Sequence, residues 1–156
     1  MSENLESDPW LLKDTGASRW DLDISGASVH VLKRVFDSRG DLVVGHFEDE
    51  IPFRPKRFFT VFNVPEADIR GEHAHISCHQ FLICVKGSVI ATVDNGKSQK
   101  IVKLDKPNIG VYMPPMIWGI QSQYSPDAVL LVFTSDAYDP DDYIRNYDEF
   151  LKMSKL

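Results

Sequence analysis

The sequence has little cysteine. Cys78 and Cys84 are the only two in 156 residues. That excludes a disulfide scaffold and a Cys-rich zinc module, and both thiols read as buried and inert. Positive charge is also short. Lys plus Arg total 17 against 23 Asp plus Glu, for a net charge of -6. A general nucleic-acid binder is excluded on this ground, because non-specific phosphate binding needs a basic face. No apolar run approaches the roughly 18 to 20 residues that cross a bilayer. The opening stretch MSENLESDPW is acidic and has no apolar core, so no secretory signal is expected in it. The expected compartment is the cytoplasm, with no membrane partner. No Ser-His-Asp order, P-loop or dinucleotide fingerprint occurs, and the glycines are scattered as turn residues. Internal repeats and low-complexity tracts are absent as well.

What is present reads as one domain. Residues 1 to 27 are polar with isolated tryptophans, Trp10 and Trp20, and are expected to form a flexible or loosely docked arm. Residues 28 to 156 are expected to fold as a single domain. Short β-branched and aromatic runs recur there at strand spacing: 29–35, 42–47, 57–64, 80–85, 88–94, 99–104, 109–113, 116–121 and 128–134. Asn95-Gly96 predicts a tight type I′ hairpin turn. Asp139-Pro140 predicts a helix start, with Tyr143, Tyr147, Phe150 and Leu151 on one face. Many short strands and a closing helix predict an all-β barrel or sandwich of the jelly-roll kind.

Three of the five histidines lie in one heptapeptide, His73-Ala74-His75-Ile76-Ser77-Cys78-His79. On a strand, His73 and His75 share a face. Paired imidazoles serve a metal site or proton transfer near neutral pH. A metal would need further ligands. Gln80 stands where a carboxylate would serve, and no histidine follows His79. Arg39, Arg57 and Arg70 are candidates for an anionic ligand, since a guanidinium fork pairs with phosphate oxygens.

Arg70-Gly71-Glu72-His73-Ala74-His75, then Gln80-Phe81-Leu82-Ile83-Cys84 and Gly87-Ser88, resemble a block of the TDP-4-keto-6-deoxyglucose 3,4-ketoisomerases, small cupins of the WxcM-like group. Further segments resemble it in order, among them Lys56-Arg57, Pro115-Met116-Ile117-Trp118 and Asp141-Asp142-Tyr143-Ile144-Arg145. The likeness spans about residues 30 to 152. It implies a cupin barrel, a homodimer, no metal and no cofactor. It implies a TDP-linked 4-keto sugar as partner and a carbonyl shift from C4 to C3, serving deoxyamino sugars of surface glycans such as O-antigen. His73 is the first choice for the base and His75 the second. Gln80 is expected to hydrogen-bond the sugar or orient a histidine, and Trp118 is a candidate to stack on the base or line the sugar cavity, core packing being the more frequent role of such an aromatic.

Two positions depart from the family pattern. Phe58-Phe59 replaces a tyrosine pair, and Gly119-Ile120 replaces His-Glu. Each change removes a polar group. Tyr112, Gln121 and Tyr124 are candidate substitutes at the substrate. Two other readings follow from these losses and from the paired imidazoles: a cupin that binds nucleotide sugars without turnover, and a metal-dependent cupin enzyme.

Overall fold

The computed structural model describes residues 18–155. Thirteen strands build it: β1 Ser18–Ile24, β2 Ala27–Val31, β3 Lys33–Val35, β4 Leu42–Val44, β5 Arg57–Phe62, β6 Arg70–His75, β7 Gln80–Lys86, β8 Val89–Asp94, β9 Gln99–Leu104, β10 Ile109–Met113, β11 Trp118–Ser122, β12 Val129–Thr134 and β13 Tyr143–Ile144. One sheet has the order β1-β2-β10-β7-β12-β5 and the other β13-β6-β11-β8-β9, while β3 and β4 form a separate hairpin. The pairings between these strands are antiparallel. The architecture is the expected all-β jelly roll.

Strand alternation sorts the apolar side chains into layers. Val29, Leu82, Val111, Leu130 and Val132 join Val89, Ala91, Val93, Val102 and Leu104 in the main core. The opposite face of the six-stranded sheet carries Phe81 and Ile83, packed with Leu32, Ile51, Phe53 and Tyr112. A third cluster, Ala74, Trp118, Ile144 and Phe150, binds the C-terminal segment to β6 and β11.

Three local expectations are corrected. Residues 18–24 of the expected arm form β1, which pairs with β2 and buries Leu22 and Ile24; residues 1–17 lie outside the described chain. Trp20 thus belongs to the fold, and Trp10 lies outside the described residues. The Asn95-Gly96 hairpin exists, but its loop spans residues 95–98. Only Gly96 of that pair has positive φ, and the Asn95 carboxamide accepts from Lys97 and Ser98 N–H, so the turn is not type I′. The helix α1, Tyr147–Ser154, starts later than Asp139-Pro140 predicted. Asp139 caps only a 3-10 turn, Pro140–Asp142, and the α-helix is capped by Asn146 accepting from Glu149 N–H at 3.0 Å.

His30 occupies the outer layer, buried, with Nε2 2.8 Å from the Ser28 hydroxyl and its ring edge-on to Phe81. Burial, with help from Arg19, pushes its pKa down to about 4, against an opposing pull from Glu50. Unfolding lets it take a proton at its ordinary value near 6.5. The unfolded chain therefore binds more protons between pH 6.5 and 4, and stability is lost as pH falls through that window. The cost approaches about 3 kcal/mol. Urea melts of wild type and His30→Gln across this window are expected to diverge by that order. Parallel curves would contradict it.

Candidate active site

Between the two sheets lies a cavity of about 350 Å³. β5, β7 and β12 form one wall, β6 and β11 the other, and the segment through β13 completes it. A β-bulge makes this possible. Across the β6–β11 pair, Gly119 faces His73 and Ile120 faces Gly71, so Glu72 is the extra residue. Gly71 and Glu72 take φ of 83° and 56°. Arg70 and His73 are three apart and would point to opposite faces of a regular strand. The bulge resets the alternation, and both line the cavity. A Cβ on Gly71 would lie 2.8 Å from the Gly119 carbonyl oxygen and 2.7 Å from Gln121 Oε1, so only glycine fits.

The chain then turns after His75 and re-enters as β7, which brings Gln80 into the cavity beside His73. Arg57, Arg70, Gln121 and Tyr124 line it too. His75 is buried directly behind, its ring centroid 5.0 Å from that of His73 and 4.4 Å from Tyr143. The structure thus brings together seven of the ten expected site residues around one space, counting His75 behind His73.

Three are elsewhere. Arg39 sits at the tip of the β3–β4 hairpin, its side chain 88% exposed and paired with Asp37 at 2.9 Å. Tyr112 projects from the other face of the six-stranded sheet, because it is paired with Phe81 rather than with a cavity residue. Its hydroxyl lies 2.6 Å from His79 Nδ1. Trp118 points away from the cavity on β11, where Gly119 and Gln121 point in; it packs on Tyr147 and Phe150 in the core.

Three cavity residues escaped the sequence reading: Tyr138, Tyr143 and Arg145. The spacing of Tyr143, Tyr147, Phe150 and Leu151 predicts a helix over this stretch. Instead Tyr143 and Ile144 pair with His75 and Ala74, and the strand places Tyr143 against both imidazoles. Arg145 stacks over Tyr143 at 4.3 Å, and Arg57 lies 5.4 Å from Phe59 and Tyr138. Aromatic rings therefore hold two of three guanidiniums. The signal available was the run Asp141-Asp142-Tyr143-Ile144-Arg145, one of the segments that carry the family resemblance.

The electrostatics favour neutral imidazoles. Burial, then the charge of Arg145, lowers the His73 pKa below its ordinary value, against a hydrogen bond to the Gly71 backbone. Burial likewise lowers that of His75, outweighing its hydrogen bond to Asp142, with His73 and Arg57 adding to the depression. The Tyr124 hydroxyl is buried without a partner and is pushed up to about 12 by burial. No Asp or Glu among the described residues lines the cavity, which is unlike a carboxylate-bearing metal site. Buried His75 and Cys78 and half-buried Asp142 do bring donor atoms within 4.8 Å of one another; the Asp142 carboxylate there accepts from the Cys78 N–H and lies 3.0 Å from His75 Nδ1. Cys84 is buried and its thiol is pushed up to about 11, as expected of an inert thiol.

Of the two family departures, Phe59 lines the cavity while Phe58 is exposed on the outer side of β5, and Gly119 faces His73 across the β6–β11 pair.

A jelly roll with an imidazole pair and a guanidinium-lined cavity defines a small cupin-class protein. The family described as "FdtA: WxcM-like, C-terminal" matches residues 25–155, and the chain belongs to it. A TDP-4-oxo-6-deoxy-α-D-glucose-3,4-oxoisomerase from Aneurinibacillus thermoaerophilus is 40% identical over 120 residues, covering 77% of this chain and 86% of its own. A mutant of the 3,4-ketoisomerase QdtA from Thermoanaerobacterium thermosaccharolyticum, in complex with TDP-4-keto-6-deoxyglucose, superposes with a TM-score of 0.82 at 33% identity. That match covers 85% of this chain and 96% of the other. The TDP-quinovose 3,4-ketoisomerase WlaRB from Campylobacter jejuni gives 0.79 at 37% identity, over 83% and 99%.

Proposed function

We propose that the chain is a TDP-sugar 3,4-ketoisomerase acting on a TDP-4-keto-6-deoxyhexose. The observation that carries this reading is the cavity itself. A neutral, desolvated imidazole with one nitrogen tied to the Gly71 backbone faces the same space as Arg57, Arg70 and Arg145. The guanidiniums suit the diphosphate, and the aromatic walls suit the sugar and base.

The C4 carbonyl acidifies the C3–H bond. His73 takes that proton; the C–H electron pair becomes the C3=C4 double bond, and the C4 carbonyl pair moves onto O4. The O3 proton passes to O4. The O3 lone pair then closes to the C3 carbonyl as C4 takes a proton from the imidazolium. Base and acid are one residue, used twice. Gln80 and Gln121, which line the cavity, have the amide donors and acceptors that sugar hydroxyls need. Phe59 and Gly119 offer no transferable proton, so the hydroxyls of Tyr124, Tyr138 and Tyr143, which line the cavity, are the candidates to serve O3 and O4. The product bears its ketone where amination at C3 requires it, which fits a role in deoxyamino-sugar synthesis.

Incubation with TDP-4-keto-6-deoxyglucose, followed by proton NMR, is expected to show the 3-keto isomer. Unchanged substrate in the presence of bound sugar would instead support binding without turnover.

The same reading includes a homodimer. Among the described residues β5 ends its sheet with no strand on its outer edge, and its outer face exposes Phe58 (66%) and Phe62 (57%). A second copy of the chain covers such an edge. Sedimentation at micromolar concentration is expected to give twice 17.7 kDa, and Phe58→Asp to give the monomer. A monomeric wild type would rule the dimer out.

A further inference from the structure

We propose that Asp142 is a positioning residue for this reaction: its carboxylate holds His75 with Nδ1 protonated and Nε2 bare, and the pair stands as the counter-charge behind His73 when that ring takes the substrate proton. The inference rests on the isomerase reading and adds to it a residue that never meets the sugar.

Asp142 ends the 3-10 turn that precedes β13. Its Oδ2 lies 3.0 Å from His75 Nδ1 and accepts from Cys78 N–H at 3.3 Å; its Oδ1 accepts from Ser77 N–H at 2.7 Å and Ser77 Oγ–H at 2.9 Å. Both side chains are nearly buried, at 5% and 10% exposure. A carboxylate so supplied with donors stays ionised. Burial alone would push its pKa up, yet the hydrogen bonds from Ser77 and His75 hold it below the usual carboxylate range. An ionised carboxylate has only acceptors, so the proton of neutral His75 must sit on Nδ1. The other nitrogen, Nε2, is buried and has no partner.

That bare nitrogen belongs to a ring packed edge-on against His73. A proton arriving on His73 meets unfavourable company: low-dielectric surroundings, Arg145 on its own side and Arg57 acting on its neighbour His75. Because no described Asp or Glu lines the cavity, a compensating negative charge has to act through a neighbour. His75 and Asp142 form that link, and Tyr143 closes the stack over both rings. The arrangement follows the carboxylate–imidazole logic by which a buried acid fixes a tautomer and steadies an imidazolium without taking the proton.

Two measurements test it. Asp142→Asn keeps size and an acceptor for Ser77 but turns an N–H toward His75 Nδ1, which forces the proton to Nε2. The variant is expected to lose about 10²-fold in kcat, with KM and TDP affinity little changed. Its acid limb in kcat/KM is expected to move to lower pH, because Arg57 and Arg145 then act unopposed on His73 and His75. Long-range proton–nitrogen NMR correlations of wild-type His75 are expected to show Nδ1–H. An Nε2–H signal in the wild type overturns the proposal. So does a folded Asp142→Asn enzyme with kcat within about threefold of wild type and an unmoved acid limb. If the wild type turns over no keto-sugar, the isomerase reading falls, and the tautomer signal still decides the assignment of Asp142.

Discussion

Replacing His73 with asparagine is expected to lower isomerisation by about 10²- to 10⁴-fold, the usual worth of a positioned general base. Asparagine keeps a donor for the Gly71 backbone and roughly fills the ring's place. The loss should therefore fall on kcat, with TDP affinity unchanged, since Arg57, Arg70 and Arg145 remain. Single-turnover kinetics and TDP titration separate the two. A variant that retains kcat would move the base to another residue, and His75 would be the first to test. The acid limb of the wild type should fall below the ordinary imidazole value of 6.5, because burial and the charge of Arg145 lower the His73 pKa. Activity is lost only as pH falls through that lowered value and the base becomes protonated.

The second large effect is on stability. Phe150 is fully buried and packs on Trp118 at 5.5 Å between ring centroids, in the cluster that includes Ala74 and Ile144. Phe150→Ala should cost about 3 to 5 kcal/mol in denaturant melts, as a transfer loss plus a cavity. Ala74 separates His73 from His75 in β6, and Ile144 pairs with it in β13. The cavity therefore opens on the layer that anchors the catalytic strand. A cost below about 1 kcal/mol would mean that the helix is held elsewhere.

These two predictions also mark what the residues alone revealed. The β-branched runs and their turns located most strands of the barrel, because strand alternation and turn chemistry are local. His73 and His75 were legible for the same reason. The bulge at Gly71-Glu72 was not, since it exists only against β11, nearly fifty residues away in the chain. Nor was the return of residues 143–145 onto β6. Tyr143, Tyr147, Phe150 and Leu151 do fit a helical face, but the edge of β6 offered Tyr143 and Ile144 a strand partner, and that pairing won. Tyr112 lies one step of parity from the cavity face, and Trp118 takes the core-packing role that is the more frequent one for such an aromatic. A strand's faces are identical until the partner sheet is known. Arg39 looked like a phosphate ligand, yet its own neighbour Asp37 satisfies it in the hairpin turn, accepting from the Arg39 backbone and guanidinium alike.

The most direct test of the central claim, that His73 removes the C3 proton of a bound TDP-4-keto sugar, is proton NMR of TDP-4-keto-6-deoxyglucose with the wild-type protein in deuterated buffer. The C3 proton signal should disappear as a 3-keto sugar forms, and the exchange should vanish in His73→Asn. A sugar that binds with its C3 proton intact would contradict the account.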